Sequence, residues 1–298
     1  MRPVVAVFGF VMALLWASTA LAQTPSVRMV EVEGHQMRVR TGGMDRLGQT
    51  PPIVFEAALG DRLTTWNTLF DQVAALAPAI AYDRAGLGGS PANEKTPTAP
   101  NVVRTLHALL AAVGAKPPYI IVGHSWGGLL ARMFIEHYPT EVAGLVYIDP
   151  TDLRSLAEEE AYYKEQGYVG DAMAERKASL LRFPGADRGE FKAVVETIAG
   201  DFKDFRSLRP LPDVPMSVFM SASFDPISWA KSPCKPQVCE EAIVKWRIKW
   251  LRDMMIGSTD ATLTIATSVP HHMHVADPEL IMAGIRRVMA AAAKRASK

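Results

Sequence analysis

The stretch Tyr119-Ile120-Ile121-Val122-Gly123-His124-Ser125-Trp126-Gly127-Gly128 decides how the rest of the chain is interpreted. Its first four residues are apolar and mostly β-branched, which predicts a buried strand. A helical pattern of apolar residues follows, from Gly127 to Tyr138. Glycines on both sides of Ser125 allow a sharp turn without a side-chain clash. The sequence therefore predicts a strand–turn–helix unit with Ser125 exposed at the start of the helix, where backbone N–H groups favour negative charge.

Short β-branched runs and helical patterns alternate on both sides of this unit. Strands are predicted at 27–32, 36–41, 52–55, 79–82, 119–122, 145–148, 216–220 and 263–266, and helices at 64–76, 101–113, 127–138, 240–255 and 278–293. The first two strands are predicted to form an antiparallel hairpin that turns at Glu33-Gly34-His35. The remaining alternation predicts a mostly parallel sheet with helices on both faces.

The segment from about 151 to 212 interrupts the alternation. It is polar and mostly helical in pattern, and it contains no clear buried strand. The flanking strands resume on either side of it, so we expect a helical cap inserted over the sheet and not a separate domain. Such a cap would act as a lid that sets substrate choice.

The first 22 residues differ in character from the remainder. Arg2 is their only charge, an apolar run extends from Val4 to Leu15, and Ala20-Leu21-Ala22 supplies the small residues that a signal peptidase recognises. We expect a secretory signal peptide cleaved after Ala22, leaving a mature chain of residues 23–298. An N-terminal membrane anchor is the alternative, but the run is short for a span of roughly 20 residues.

Export bears on the two cysteines, Cys234 and Cys239. An even count in an oxidising compartment predicts one disulfide that closes a small loop. A metal pair or two free thiols are the alternatives, and no second pair of ligands lies nearby in the sequence.

Composition excludes several classes of protein. The 298 residues are 49% hydrophobic and 21% charged, which is typical of a globular protein and not of a disordered chain or a coiled coil. Lys and Arg number 32 against 31 Asp and Glu, so the formal net charge is +1. This balance predicts no binding to nucleic acid or to an anionic membrane surface. No later stretch is long and apolar enough to cross a bilayer, and the oligomeric state cannot be read.

A serine hydroxyl needs a base, and the base needs an orienting acid. Three of the seven histidines cluster in Pro270-His271-His272-Met273-His274, between the last strand and the last helix. This loop is expected at the same edge of the sheet as Ser125. Three clustered histidines also allow a zinc site, but adjacent histidines rarely point the same way, so we expect no metal. Two acids follow strands that precede this loop, Asp149 and Asp225.

Several motifs in the order found here resemble those of the α/β-hydrolase fold family. Residues 53–60, Ile-Val-Phe-Glu-Ala-Ala-Leu-Gly, resemble its strand and oxyanion loop. Residues 82–90, Tyr-Asp-Arg-Ala-Gly-Leu-Gly-Gly-Ser, resemble its Asp-x-x-Gly-x-Gly-x-Ser turn. Residues 123–128 are similar to its nucleophile elbow, and Ser223-Phe224-Asp225 to its acid turn. His271, seven residues before Pro278, is placed like the family's catalytic histidine.

The resemblance implies a role for each candidate. Ser125 would be the nucleophile, His271 the base with His272 as the rival, and Asp225 the acid with Asp149 as the alternative used by some members. The oxyanion donors would be the backbone N–H groups of Trp126 and of Ala58 or Leu59.

Other residues would be structural. His274 resembles a second, structural histidine of many relatives, and His124 is expected to face the underside of the turn. Many relatives have His-Gly where this chain has Glu56-Ala57. Glu56 would then be a buried or loop-anchoring carboxylate whose partner the sequence does not reveal. Asp83 and Arg84 are expected to hold their loop through local bonds.

These observations together predict an exported serine hydrolase that acts on a small-molecule acyl substrate without metal or organic cofactor. A carboxylic ester is the favoured bond, with amide, lactone and thioester open. The family's epoxide- and haloalkane-cleaving branches carry aspartate in place of the serine. Two alternatives share the scaffold: a cofactor-free perhydrolase or haloperoxidase, and a catalytically inactive binding protein.

Overall fold

The computed structural model describes residues 25–153, 156–165, 189–223 and 236–297. The predicted signal peptide, Asp225, the Cys234 end of the predicted disulfide and part of the predicted cap lie outside these ranges. Among the described residues, no helix is both long enough and apolar enough to span a bilayer.

A single sheet forms the centre of the described structure. Its strands are β1 (Ser26–Val32), β2 (His35–Gly42), β3 (Ile53–Glu56), β4 (Ala79–Tyr82), β5 (Tyr119–His124), β6 (Val142–Ile148), β7 (Met216–Ser221) and β8 (Ala261–Ala266). Their order in the sheet is β1-β2-β4-β3-β5-β6-β7-β8. The hairpin β1–β2 and the pair β2–β4 are antiparallel, and every other neighbouring pair is parallel. The predicted mostly parallel sheet is confirmed.

Helices cover both faces of the sheet. They are α1 (Phe70–Ala74), α2 (Ala99–Ala112), α3 (Trp126–His137), α4 (Leu156–Glu165), α5 (Gly189–Ala199), α6 (Lys203–Arg206), α7 (Pro236–Met255), α8 (Met273–Ala276) and α9 (Pro278–Ala296). One buried apolar cluster joins α2 and α3 to the sheet, and a second cluster joins α1 and α9 to the sheet. Helices α4, α5 and α6 fall within the predicted cap, whose described residues contain no strand.

The chain crosses over at the centre of this sheet. After β3 it runs to β4 on one side, and after β4 it returns to β5 on the other side of β3. In parallel sheets, ligands bind beside the carboxyl ends of strands at such a crossing. The pairing sets Glu56 of β3 opposite Gly123 of β5. The loop after β3 and the turn after β5 therefore lie side by side.

Two predicted helices differ in detail. The segment 64–76 is divided into a 3₁₀ turn (Leu63–Trp66) and the short α1, because the hydroxyls of Thr65 and Thr68 bond to His274 and anchor the intervening chain. Helix α2 begins at Ala99, two residues before the predicted cap Asn101. The Asn101 side chain donates to the carbonyl of Thr96 instead of capping the helix.

Candidate active site

Ser125 lies in a strained turn between β5 and α3. Its φ of 53° and ψ of −117° are unusual for a residue with a side chain. The turn is packed closely against its neighbours: a Cβ at Gly127 would lie 2.6 Å from the Ala57 carbonyl oxygen, and one at Gly128 would lie 2.8 Å from Pro150 Cβ. Glycine is therefore required here by close approach as well as by the turn.

His271 is paired with Asp149. The His271 Nδ1 and Asp149 Oδ2 atoms are 2.5 Å apart. The other oxygen, Oδ1, accepts the Ser221 N–H at 2.8 Å and Arg247 Nη2 at 2.7 Å. Burial alone would raise the pKa of Asp149, but the hydrogen bond from His271 and the charge of Arg247 outweigh it and lower that pKa. A carboxylate fixed in this way orients the imidazole and leaves its Nε2 free.

This pairing involves Asp149, the alternative acid of the sequence analysis. Asp225, which the family resemblance favoured, lies outside the described residues. The rival base His272 has its Nε2 3.6 Å from an Asp61 carboxylate oxygen. The side chains of His271 and His272 are each about half exposed, so their acid partners distinguish them and their exposure does not. The sequence signal for Asp149 is its position directly after the buried strand β6.

His124, the residue before Ser125, contacts the loop that carries His271. The buried His124 places its Nε2 3.0 Å from the backbone oxygen of His271, and the two rings are 4.7 Å apart. Ser125 Oγ lies 3.5 Å from the Thr151 hydroxyl, a neighbour that the sequence analysis missed. Among the described residues no hydrogen bond joins Ser125 to His271. Catalytic hydrogen bonds are often long without substrate and shorten when it binds.

His124 and His274 are buried and contribute to the structure of the site, as predicted. His274 Nε2 lies 3.0 Å from the Thr65 hydroxyl, and its ring packs 4.6 Å from that of Trp66. Burial first, and the charges of neighbouring histidines second, lower the pKa of His124 to about 2 and the pKa of His274 to about 3. Both imidazoles are therefore neutral near pH 7.

Among the described residues, three backbone donors in the loop after β3 and in the serine turn are unpaired. The N–H groups of Ala58, Leu59 and Trp126 make no hydrogen bond within the described part of the chain. Ala58 and Trp126 are buried residues, and buried N–H groups are nearly always paired. Free donors at a helix N-terminus beside a serine suit a developing oxyanion.

Glu56 has the partners that the sequence did not reveal. Its carboxylate accepts the Tyr82 hydroxyl at 2.6 Å and Arg84 Nη1 at 2.8 Å, and all three side chains are buried. Burial raises the pKa of Glu56. Arg84 also pairs with Glu190 at the start of α5. The expected local bond is found for Asp83, which accepts the Gly89 N–H, but Asp83 also accepts from Leu63 N and Arg38. Within the described part of the chain, the Arg84 side chain bonds only to residues that are distant in sequence.

Among the described residues, one group of three side chains has ligand atoms close enough together to bind a metal ion. One ligand atom each of Asp61, His124 and His272 lie within 4.8 Å of one another. His124 Nε2 donates to the His271 carbonyl, whereas its buried Nδ1 has no hydrogen-bond partner among the described residues. The expectation that no metal takes part stays a prediction.

A cavity of about 750 Å³ lies beside the amino end of α3. Its apolar lining comes from α3, from the segment after β6, and from α6 and α7, and includes Leu129, Leu153, Phe205 and Trp250. Neither Ser125 nor His271 lines it. Phe205 also packs edge-on against Trp126, the residue after the serine, with ring centroids 5.7 Å apart.

Comparison with known proteins decides the family. The sequence profile described as "Alpha/beta hydrolase family" matches residues 54–283, well over half of the chain. The chain belongs to the alpha/beta hydrolase family. The match includes the loop after β3, the serine turn and the histidine loop.

The chain is similar in sequence to a bacterial relative and in fold to several solved structures. A protein of Bacillus subtilis (strain 168), "Uncharacterized protein YqjL", is 36% identical over 98 residues, which is 33% of this chain and 39% of the relative. The match thus spans well under half the length of that relative. The structure of "Epoxide hydrolase CorEH" has a TM-score of 0.61 at 13% identity, covering 89% of this chain and 99% of the other. The structure of Cfl2 from Burkholderia cenocepacia has a TM-score of 0.60 at 15% identity, covering 88% and 95%. At these identities the structures show a shared fold alone.

The two buried histidines predict how stability depends on pH. In the unfolded chain both imidazoles titrate near pH 6.5, whereas in the folded chain they titrate near pH 2 to 3. The unfolded chain therefore binds more protons as the pH falls below 6.5. The free energy of unfolding should fall, with a slope that approaches about 2.7 kcal/mol per pH unit near pH 5.

Urea unfolding measured at intervals between pH 7.5 and 5 tests this prediction, since carboxylates titrate mostly below that range. His274→Asn should remove about half of the slope. A stability that is constant or that rises as the pH falls would contradict the neutral assignment of both histidines.

Proposed function

We propose that this protein is a serine hydrolase that cleaves a carboxylic ester through an acyl-enzyme, with Ser125, His271 and Asp149 as its triad. The observation that carries the proposal is the 2.5 Å contact between His271 and Asp149 beside a serine held at the start of α3. The unpaired N–H groups of Ala58 and Trp126 support it.

The proposed reaction proceeds in two halves. Ser125 Oγ attacks the ester carbonyl while His271 Nε2 accepts its proton, and Asp149 stabilises the imidazolium. The carbonyl oxygen becomes negative and accepts hydrogen bonds from the Trp126 N–H and from the Ala58 or Leu59 N–H. The alkoxide then leaves with the proton from His271, and an acyl group remains on Ser125. Water deprotonated by His271 attacks this acyl group, which releases the acid and restores the serine.

The identity of the nucleophile supports ester cleavage over epoxide opening. The relative named as an epoxide hydrolase shares the fold, but fold does not fix the reaction. The resemblance implies aspartate at the nucleophile position in the epoxide- and haloalkane-cleaving branches. This chain has Ser125 there, and serine needs the adjacent base that His271 provides.

Ser125→Ala should abolish turnover of a p-nitrophenyl ester while the protein stays folded. Losses of about 10⁴-fold or more are usual when a triad nucleophile is removed. A fluorophosphonate probe should modify the wild-type protein at Ser125 and leave the variant unmodified, and circular dichroism should match for the two proteins. Turnover at the wild-type kcat by the variant would rule out the serine mechanism.

The same assays separate the alternatives. A protein that the probe does not modify would be a binding protein on this scaffold. A wild-type protein that the probe does modify, but that halogenates in a peroxide-dependent reaction far faster than it cleaves esters, would be a perhydrolase or haloperoxidase.

The acid is tested by a matched pair of variants. Asp149→Asn should lower kcat by roughly 10³- to 10⁴-fold, since the imidazole would lose its orientation and its counter-charge. Asp225→Asn, the same chemical change at the alternative position, should stay within a few-fold of wild type. The reverse pattern in steady-state ester hydrolysis would assign the acid to Asp225.

We also infer that the enzyme is exported, from the pattern of its first 22 residues. Protein recovered from the exported fraction should begin at Gln23, and Cys234 and Cys239 should be joined by a disulfide. Intact-mass measurement with and without reductant checks both points. An exported protein that retains residues 1–22 would contradict the predicted cleavage. Two alkylatable thiols before reduction would contradict the predicted disulfide.

A further inference from the structure

Arg84 is the most heavily bonded buried charge among the described residues. It follows β4, and its side chain is 4% exposed. The guanidinium pairs with Glu56 on β3 and with Glu190 on α5. Its Nη1 also donates to the Ala57 carbonyl at 2.8 Å, and its Nη2 to the Ala58 carbonyl at 2.6 Å. One side chain therefore joins three elements that are distant in sequence.

The two carbonyl contacts fix the direction of the next two amides. In a trans peptide the C=O of one residue and the N–H of the next point in opposite directions. Because Arg84 binds the oxygens of Ala57 and Ala58, the N–H groups of Ala58 and Leu59 are turned away from it. Both N–H groups are among the loop donors that make no hydrogen bond within the described part of the chain. Gly127 lies against the Ala57 carbonyl, so the same peptide is packed on the serine turn.

We propose that Arg84 is a positioning residue of the oxyanion hole, and that Glu190 ties the position of the cap helix α5 to it. This inference rests on the proposed serine hydrolase function. Arg84 does not touch the substrate. It acts by holding the Ala57 and Ala58 peptides in the orientation that presents their following N–H groups to the carbonyl oxygen of the substrate.

Glu190 supports the proposal from the other side of the guanidinium. One carboxylate oxygen pairs with Arg84 Nε. The other accepts Arg84 Nη2 and the backbone N–H of Gly60, each at 3.0 Å. The next residue, Phe191, packs on Gly60 so closely that a Cβ there would lie 2.6 Å from the ring. The start of α5 therefore contacts the loop that carries Ala58 and Leu59.

Lysine is the informative substitution at this position. It keeps the positive charge beside Glu56 and Glu190 but lacks the planar fork that reaches two carboxylates and two carbonyls together. A role limited to charge neutralisation would survive Arg84→Lys, whereas a role in orienting the peptides would not. Arg38→Lys is the matched control. Arg38 pairs with Asp83 in the adjoining turn, 3.3 Å away, and within the described part of the chain it makes no hydrogen bond or ion pair with the loop after β3.

The test uses the rate constant for phosphonylation of Ser125 by a fluorophosphonate. The phosphoryl oxygen occupies the oxyanion hole, so this rate needs no knowledge of the natural substrate. Arg84→Lys should lower both this rate and kcat for a p-nitrophenyl ester by about 10- to 100-fold, with KM little changed; loss of an entire oxyanion donor costs about 10²- to 10³-fold. Arg38→Lys should stay within threefold of wild type. Rates are normalised to folded protein by circular dichroism.

A folded Arg84→Lys variant within threefold of wild type would overturn the proposal. If the Arg84→Lys variant does not fold, the phosphonylation rate of Glu190→Gln tests the proposal instead. The NH₂ group of the introduced amide cannot accept a hydrogen bond, so either Arg84 or the Gly60 N–H loses its partner, and a loss of at least about fivefold in phosphonylation is expected. An unchanged rate in Glu190→Gln would overturn it. Failure of the proposed function itself is distinct, because wild-type Ser125 would then not be phosphonylated.

Discussion

The parallel pairing of β3 with β5 is the constraint on which the site depends. It sets Glu56 opposite Gly123, so the loop after one strand and the serine turn after the other leave the sheet together. Gly127 then packs against the carbonyl oxygens of Glu56 and Ala57. A side chain at Gly127 would separate the two. Backbone packing thus sets the loop that carries the proposed oxyanion donors against the turn that carries the proposed nucleophile, Ser125.

The charged side chains around this junction are buried, and the Arg84 guanidinium lies between the carboxylates of Glu56 and Glu190. Burial alone would lower the pKa of Arg84, but the charges of Glu190 and Glu56 outweigh it, so the guanidinium stays ionised. Removing Arg84 would leave two buried carboxylates without their counter-charge, and the loss of one partner of a buried ion pair typically costs about 3–5 kcal/mol. In the part of the site that carries His271, the Asp149 carboxylate accepts hydrogen bonds from the Ser221 N–H and from Arg247. Arg84 therefore binds the loop of the proposed oxyanion donors, and Arg247 binds the proposed catalytic acid, Asp149.

Much of the fold could be predicted because its signals are local. The serine turn, the hairpin β1–β2 and the strands of the parallel sheet each follow from residue type and spacing over a few positions. The cluster of histidines at the sheet edge could be predicted in the same way. The division of the helix expected over 64–76 could not, since it depends on hydroxyl contacts with His274, about 200 residues further along the chain.

Ion pairs between residues that are distant in sequence could not be predicted, because no local sequence pattern marks them. Glu190 meets Arg84 across 106 residues, and nothing in the pattern of α5 marks that glutamate. Arg247 contacts Asp149 from α7, and the sequence predicts only that a helix covers 240–255 there. The two acids, Asp149 and Asp225, both follow predicted strands, so sequence position alone does not separate them. Their ranking came from the family resemblance, whereas the contact with His271 involves Asp149.

The most direct test of the account is a pre-steady-state measurement of ester hydrolysis followed by rapid acid quench. With a p-nitrophenyl ester in excess, p-nitrophenol should be released in a burst equal to the enzyme concentration. Peptide mass mapping of the quenched sample should then place the acyl group on Ser125. If acylation is the slow step, p-nitrophenol is released linearly from the first turnover. The deciding result is therefore the residue to which peptide mass mapping assigns the acyl group. An acyl group on any other residue, or none on Ser125 when turnover is demonstrated with a slowly deacylating ester, would contradict the account.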